Sequence, residues 1–183
     1  MKRVHLVLGM VVLLLLAQAG VAWGLPQAEI RQNRNSIGYS VQRLDGEIKA
    51  MIFEGDLGLT PTLGLDTRYF HFGDDGDDLL DLNLKVKIVD DRDFNLTGLL
   101  GYQVNFDDDG NKQVGMLLSQ DQSQYITLNA GVNVLLDSDD SLGYSVGFDY
   151  MLTRDWYFEA GFRRVAGRSN SRDGLTFGLR NYL

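Results

Sequence analysis

An alternation of apolar and polar residues runs through most of this chain and restricts what it can fold into. From Leu80 to Ile88 every second residue is a large aliphatic. The residues between them are polar or charged: Asp81, Asn83, Lys85 and Lys87. A period of two places the two sets on opposite faces of a β-strand. No segment after residue 36 has a competing helical period, so the sequence predicts an all-β domain.

Ten strand candidates are separated by clusters of turn-forming residues such as GDDGDD, DDDGN and DSDDS. They cover residues 37–44, 47–54, 62–72, 79–89, 94–106, 112–119, 124–136, 142–152, 156–166 and 174–183. An eight-stranded domain, without 37–44 and 112–119, is the alternative. In 62–72, Phe70 and Phe72 fall on the polar parity, which predicts a β-bulge or a register change there.

Alternation alone does not decide which face is inside, because a soluble barrel or sandwich with an apolar interior has the same period. Two features of the strands favour a membrane barrel with a polar interior. Aromatic residues on the apolar parity gather near strand ends, as in the girdles of transmembrane barrels. Glycines share the polar parity, where they leave room for long side chains in a narrow lumen: Gly64, Gly101, Gly131, Gly143, Gly147, Gly161 and Gly178.

The first 24 residues have the plan of a secretory signal peptide, with cleavage expected between residues 19 and 24. Lys2 and Arg3 precede an apolar run from Leu6 to Ala17, and small residues follow. That run is short against the roughly 20 residues of a membrane-spanning helix. Residues 25–36 form a polar lead-in, and 37–183 the barrel domain. Cleavage shifts the net charge from −8 to −10 by removing two basic residues, which argues against nucleic acid as a partner.

We therefore predict a closed, antiparallel, up-and-down transmembrane β-barrel of ten strands. Hydrocarbon offers no water to an open sheet edge, so the strands have to close on themselves. The polar face then lines the lumen, where buried charges require partners of opposite sign. The predicted luminal residues are Asp66, Arg68, Asp81, Asn83, Lys85, Lys87, Asp149, Glu159, Arg163 and Arg180.

Three segments carry a resemblance to the small outer-membrane β-barrels of Gram-negative bacteria, and most of all to the YfaZ family. They are DDGDDLLDLNLKVKI (74–88), GYQVNFDDDGNKQVGMLL (101–118) and YFEAGFRRVAGRSNSRDG (157–174), followed by a terminal strand. The resemblance covers about residues 60–183. It implies an outer-membrane protein without a catalytic motif, in contact with outer-membrane lipid, lipopolysaccharide and the barrel assembly machinery. One departure is Leu183, which stands where such barrels usually end on an aromatic residue.

The topology follows if the last strand ends at the periplasm. The connections 45–46, 73–78, 107–111, 137–141 and 167–173 then face outside, and the turns 57–61, 90–93, 120–123 and 153–155 face the periplasm. Most of the outside connections are acidic, and we interpret the acidic residues as solvating and turn-forming. Their spacing does not match an EF-hand, so we expect no metal site and no cofactor.

These observations favour a monomeric, non-enzymatic, porin-like barrel whose lumen is largely filled by side chains, since small barrels have interiors just wide enough for them. A narrow pore for ions or small solutes is one alternative. Another is a soluble periplasmic barrel that binds an apolar ligand in a core of the same Leu and Val residues. We assign no catalytic residue, because His71 is the only histidine of the exported part and a lone histidine at a barrel rim is usually structural.

Overall fold

The computed structural model describes residues 26–30, 32, 34–44, 47–73, 78–106, 108–136, 142–166 and 172–183. The predicted signal peptide lies outside the described residues. So do the connection 45–46, residues 74–77, residue 107 and residues 137–141 and 167–171 of the predicted acidic connections. Among the described residues, no helix is long and apolar enough to cross a membrane.

Ten antiparallel strands form one closed barrel in which each strand pairs with its neighbours in sequence. The strands are β1 (Ser36–Leu44), β2 (Glu47–Gly58), β3 (Leu63–His71), β4 (Leu79–Asp90), β5 (Phe94–Asn105), β6 (Asp108–Asp121), β7 (Ile126–Leu135), β8 (Leu142–Met151), β9 (Trp156–Val165) and β10 (Arg172–Tyr182). The ring is completed by β1, which pairs with both β2 and β10. The predicted fold class is confirmed, with ten strands rather than eight.

The start of β1 and the end of β10 lie together at one end of the barrel, which we call the terminal end. Tight turns join the strands there, each closed by backbone hydrogen bonds. Their N–H···O distances include 3.0 Å from Leu59 to Leu63 and 2.9 Å from Leu152 to Trp156. We call the opposite end of the barrel the loop end.

Apolar residues face outward and most polar residues face inward. In β4, Leu82, Leu84 and Ile88 are 47%, 37% and 57% exposed, whereas Asp81 and Lys85 are buried. Outward-facing aromatic residues near the terminal end include Tyr125, Tyr150 and Trp156, and those near the loop end include Tyr102, Phe106 and Tyr144. The arrangement is the inverse of a water-soluble barrel, in which the apolar face is covered.

The predicted bulge or register change in 62–72 is wrong. β3 pairs with β2 and with β4 without a shift in register. Phe70 and Phe72 instead point into the lumen, where they are buried. They form an apolar cluster at the loop end, which we call the loop-end cluster: Ala50, Ile52, Phe70, Phe72, Leu79 and Val165. The two phenylalanines therefore face inward, as their position in the alternation of β3 indicates. The lumen is apolar at its loop end.

Two glycines of β5 differ in how closely neighbouring atoms approach them. A Cβ at the inward-facing Gly101 would lie 2.3 Å from the carbonyl oxygen of Leu82 and 2.2 Å from Oδ1 of Asn83. A Cβ at the outward-facing Gly98 would meet its nearest neighbour, Cδ1 of Ile88, at 3.4 Å. Only Gly101 is therefore required by the close approach of another strand.

We expect Gly101→Val to destabilise the barrel by about 1–3 kcal/mol, because the side chain would overpack against a neighbouring backbone. Gly98→Val, three residues away on the outward face, should change the free energy of unfolding by less than about 0.5 kcal/mol. Urea unfolding of the two variants in detergent micelles measures both values. Equal unfolding midpoints would contradict the assignment of the two faces.

Candidate functional site: the filled lumen

The ten predicted luminal residues lie on five of the ten strands, β3, β4, β8, β9 and β10. Nine of them are buried: Asp66, Arg68, Asp81, Asn83, Lys85, Asp149, Glu159, Arg163 and Arg180. Lys87, near the terminal end, is half-buried and pairs with the exposed Asp90 at 2.9 Å. The structure brings these residues together in two charged groups and adds members that the sequence analysis did not identify.

The first group is a chain of alternating charges around Glu54. Arg163 Nη2 donates to Glu54 Oε1 at 2.6 Å, and Arg180 Nη2 donates to Glu54 Oε2 at 2.9 Å. Arg180 Nε also donates to Glu159, and its Nη1 lies 3.2 Å from Ser36 Oγ. Glu54 therefore links β2 to β9 and β10 across the inner side of β1. We call Glu54, Glu159, Arg163 and Arg180 the ion-pair chain.

The second group adjoins the first and lies on β2 to β5, where Glu54 is in register with Arg68. Arg68 donates to both carboxylate oxygens of Asp66, at 3.1 and 2.6 Å. Asn83 Nδ2 donates to the same carboxylate at 2.9 Å. Asp81 stands in register with Arg68 and accepts a hydrogen bond of 3.0 Å from Gln103. Nearer the terminal end, Lys85 Nζ pairs with Asp56 Oδ2 at 2.7 Å.

The sequence analysis missed Glu54 and Asp56 for a specific reason. The strand predicted over 47–54 ends too early, whereas β2 continues to Gly58. Its inward parity begins with Ala50 and Ile52, which belong to the loop-end cluster, so the strand does not separate into a polar and an apolar face. A strand extended to Gly58 would have placed Glu54 and Asp56 two residues apart on one face, and this pair of acidic residues would have identified the inward face.

Residues 26–30 lie inside the terminal half of the lumen, and we call them the N-terminal segment. Its backbone is held by strands β4 to β6. Ala28 N donates to Ser119 Oγ at 2.7 Å, Thr97 Oγ1 donates to Ala28 O at 2.5 Å, and Lys85 Nζ lies 3.2 Å from Glu29 O. Ala28 also packs in an apolar cluster with Leu99 and Leu117. The segment is therefore part of the filling of the barrel.

Side chains anchor the N-terminal segment at both ends. Gln27 donates to Asp149 on β8 and accepts a hydrogen bond from the hydroxyl of Tyr182 on β10. Ile30, three residues later, lies against β3, where its Cγ2 is 3.5 Å from the position that a Cβ on Gly64 would take. The segment thus crosses the lumen from one wall to the other. In the sequence, the N-terminal segment differs from the strands only because residues 25–35 lack a regular alternation of apolar and polar residues. This feature does not indicate that the segment is buried.

Three layers follow one another along the lumen of the described barrel. The loop-end cluster comes first. The guanidinium of Arg163 borders this cluster, 5.8 Å from the ring centroid of Phe70. The ion-pair chain is next, and the N-terminal segment is last. A cavity of about 10 Å³ at the terminal mouth, between Gln27, Asp56 and Tyr182, has room for about one water molecule.

His71 lies at the loop end of β3, on the outward parity. Its Nδ1 is 3.0 Å from Asp78 Oδ1, and Asp78 also accepts a hydrogen bond from the Tyr69 hydroxyl. Partial burial acts to raise the pKa of Asp78, but the hydrogen bonds from Tyr69 and His71 outweigh it and lower that pKa below its ordinary value. Within the described ranges, no three His, Cys, Asp or Glu side chains are grouped so that they could hold a metal ion.

Comparison with known proteins gives a likeness of structure without a likeness of sequence. The chain matches no family model and no curated protein. It superposes on the KdgM porin with a TM-score of 0.53 at 9% identity, over 80% of this chain and 98% of that one. The chain has the fold of a porin-like β-barrel. The KdgM porin in complex with disordered oligogalacturonate gives the same TM-score at 7% identity, over 81% and 98% of the two chains.

A chain from the de novo design of transmembrane β-barrels is also similar, with a TM-score of 0.48 and 13% identity over 85% of this chain and 99% of that one. At such low sequence identity, the structural likeness shows only that the chain has a porin-like fold. They do not test the resemblance to the YfaZ family, which stays a prediction.

We expect Glu54→Gln to destabilise the barrel by about 3–5 kcal/mol, because it removes the buried carboxylate that pairs with Arg163 and leaves Arg180 with Glu159 alone. The matched control is Lys87→Gln, which breaks an ion pair with a carboxylate that is 61% exposed. Its cost should stay below about 1 kcal/mol. Urea unfolding in micelles compares the two, and a Glu54→Gln barrel as stable as the control would show that the ion-pair chain does not support the fold.

Proposed function

We propose that this protein is a monomeric, non-enzymatic barrel of the bacterial outer membrane, exported by a cleaved signal peptide, with a closed lumen. The observation that carries the proposal is the filling of the lumen along its length by the loop-end cluster, the ion-pair chain and the N-terminal segment. Such a barrel would stabilise the envelope or present its short acidic loops. The terminal end would face the periplasm and the loop end the outside.

The outer surface supports a location in the membrane. Aliphatic residues cover the middle of the wall and aromatic residues lie near both ends, as in transmembrane barrels. An exposed apolar surface that surrounds a whole domain is not expected of a monomeric protein in water. We infer that lipid contacts this wall, that lipopolysaccharide surrounds the loop end, and that the barrel assembly machinery inserts the chain.

The soluble alternative requires an apolar core that could hold a ligand. The Leu and Val residues on which it was based, among them Leu82, Leu84 and Val86, belong to the outward face of β4. The interior instead contains Lys85, Asp149 and other charged groups. The arrangement therefore favours the membrane barrel over a soluble barrel with an apolar ligand.

The narrow pore is the second candidate function. The observation that favours it is that the N-terminal segment, which fills the terminal half of the lumen, is not part of the barrel wall. The KdgM structures add that a barrel of similar fold is described as a porin, and one of them as a complex with oligogalacturonate. A pore in this chain would require both the N-terminal segment and the ion-pair chain to rearrange.

We expect Leu84→Arg to reduce membrane assembly far more than Ile88→Arg. Both side chains face outward from β4, but Leu84 lies mid-strand and Ile88 near the terminal end. An arginine costs about 2–4 kcal/mol at the bilayer midplane and about 0–1 kcal/mol near an interface. The folded yield in liposomes measures the difference. The membrane location would be refuted if the two variants gave equal folded yields and the unaltered protein were recovered in the soluble periplasm.

We expect the full barrel in a planar bilayer to show little or no steady conductance, because the charged side chains in the lumen pair with one another and leave no continuous path. Stable single-channel steps at neutral pH would overturn the closed lumen in favour of the pore. Steps that appear only in Arg163→Ala or Glu159→Ala, and not in Lys87→Ala, would support the closed lumen and identify the ion-pair chain as part of its barrier.

A further inference from the structure

We propose that the terminal half of the lumen is a peptide-binding site and that the N-terminal segment is its detachable occupant. The proposal rests on the closed lumen of the proposed function and adds a ligand class to it. The ligand is a short extended peptide with an amide side chain, then a small residue, and an aliphatic residue two positions further on. In this chain these are Gln27, Ala28 and Ile30.

The barrel wall is complete without the segment. β1 begins at Ser36 and is paired along its length with β10 on one side and β2 on the other. The segment adds no strand to the ring, and its backbone bonds to the wall include those of Ala28 N, Ala28 O and Glu29 O. Its departure would therefore leave the hydrogen-bonded ring of ten strands intact.

Water can replace most of the contacts that the wall of the site makes with the segment. Most of the groups that contact it are polar and would be solvated in an open vestibule: Lys85, Thr97, Ser119, Asp149 and Tyr182. Lys85 also keeps Asp56 as a partner at 2.7 Å. Because no buried charge is left without a partner or solvent, withdrawal avoids the large penalty of an uncompensated charge.

The site is nonetheless selective in shape. Ala28 is completely buried against Leu99 and Leu117, so a large side chain at this position does not fit. Gln27 uses its amide as both donor and acceptor, between Asp149 and Tyr182. Ile30 lies beside Gly64, with its Cγ2 3.5 Å from the position of a Cβ at that glycine, and provides the aliphatic contact with β3. A site with a polar bridge, a small-residue position and an aliphatic position recognises a peptide rather than filling space without preference.

Cysteine accessibility tests the proposal in the full chain, which contains no cysteine of its own. Ser119→Cys places a thiol beside the segment, and its sulfur, in place of the serine oxygen, can still accept a weak hydrogen bond from Ala28 N. Thr176→Cys places a thiol in the lumen on the loop side of Arg180, and both residues are buried. A charged maleimide reports access to each thiol in the folded barrel in micelles. We expect both thiols to be protected when no other residue is changed.

Adding Ala28→Trp should expel the segment and raise the labelling rate of the Ser119→Cys thiol about tenfold or more, because overpacking at Ala28 weakens docking. The Thr176→Cys thiol should stay protected behind the ion-pair chain. The control is Gln32→Trp, at an exposed position just beyond the segment, which should leave both rates unchanged. If Ala28→Trp prevents folding, Gln27→Ala replaces it, since it removes both anchoring hydrogen bonds without adding volume.

The peptide LPQAEIRQNRN (25–35), added to the Ala28→Trp barrel, should restore protection of the Ser119→Cys thiol. About millimolar peptide is needed, because a short tether gives the natural segment an effective concentration of that order. The same peptide carrying Ala28→Trp should not protect. Failure of the unchanged peptide to protect would overturn the peptide site, and so would rapid labelling at Ser119→Cys before any change at Ala28.

Two further outcomes separate this proposal from the closed barrel. If Thr176→Cys becomes accessible together with Ser119→Cys, the whole barrel has loosened and the segment is not independently detachable. If the unaltered chain conducts while the Ser119→Cys thiol remains protected and the peptide still rescues the Ala28→Trp variant, the closed lumen is refuted and the peptide site stands.

Discussion

The pairing of β1 with β10 is the contact on which the rest of the structure depends. It joins Ser36 to Tyr182 at the terminal end and continues to Arg43 opposite Leu175. Without it the ten strands would form an open sheet with two unpaired edges, which hydrocarbon does not tolerate. Closure also creates an inner surface that is buried along much of its length, so charged groups that face inward need partners of opposite charge inside the barrel.

The charges of the lumen follow from that enclosure. Each long cationic side chain in the middle of the barrel lies against a carboxylate: Arg68 against Asp66, Arg163 and Arg180 against Glu54, and Lys85 against Asp56. Breaking one such pair costs far more than breaking a pair at the surface. The ion pairs in the lumen therefore connect different strands of its wall and stabilise the barrel.

The porin-like fold does not by itself decide whether a barrel conducts, since one fold serves many functions. What decides it is the content of the lumen. Here the loop end of the described lumen contains aromatic and aliphatic side chains, the middle contains ion pairs, and the terminal end contains a segment that precedes the first strand. The last of these is not part of the barrel wall, and our proposal that the segment is detachable rests on this difference.

The alternation in the sequence predicts the ten strands and, for most of them, which side chains share a face. A period of two fixes which side chains share a face, and the glycines and outward aromatics indicate that the polar face is the inner one. Tertiary structure alone decided what meets inside. Glu54 contacts Arg163 and Arg180 from across β1, and Phe70 joins Val165, because closure brings together strands far apart in the chain. Residues 26–30 have no period at all, and their burial exists only because the closed wall offers them partners on both sides.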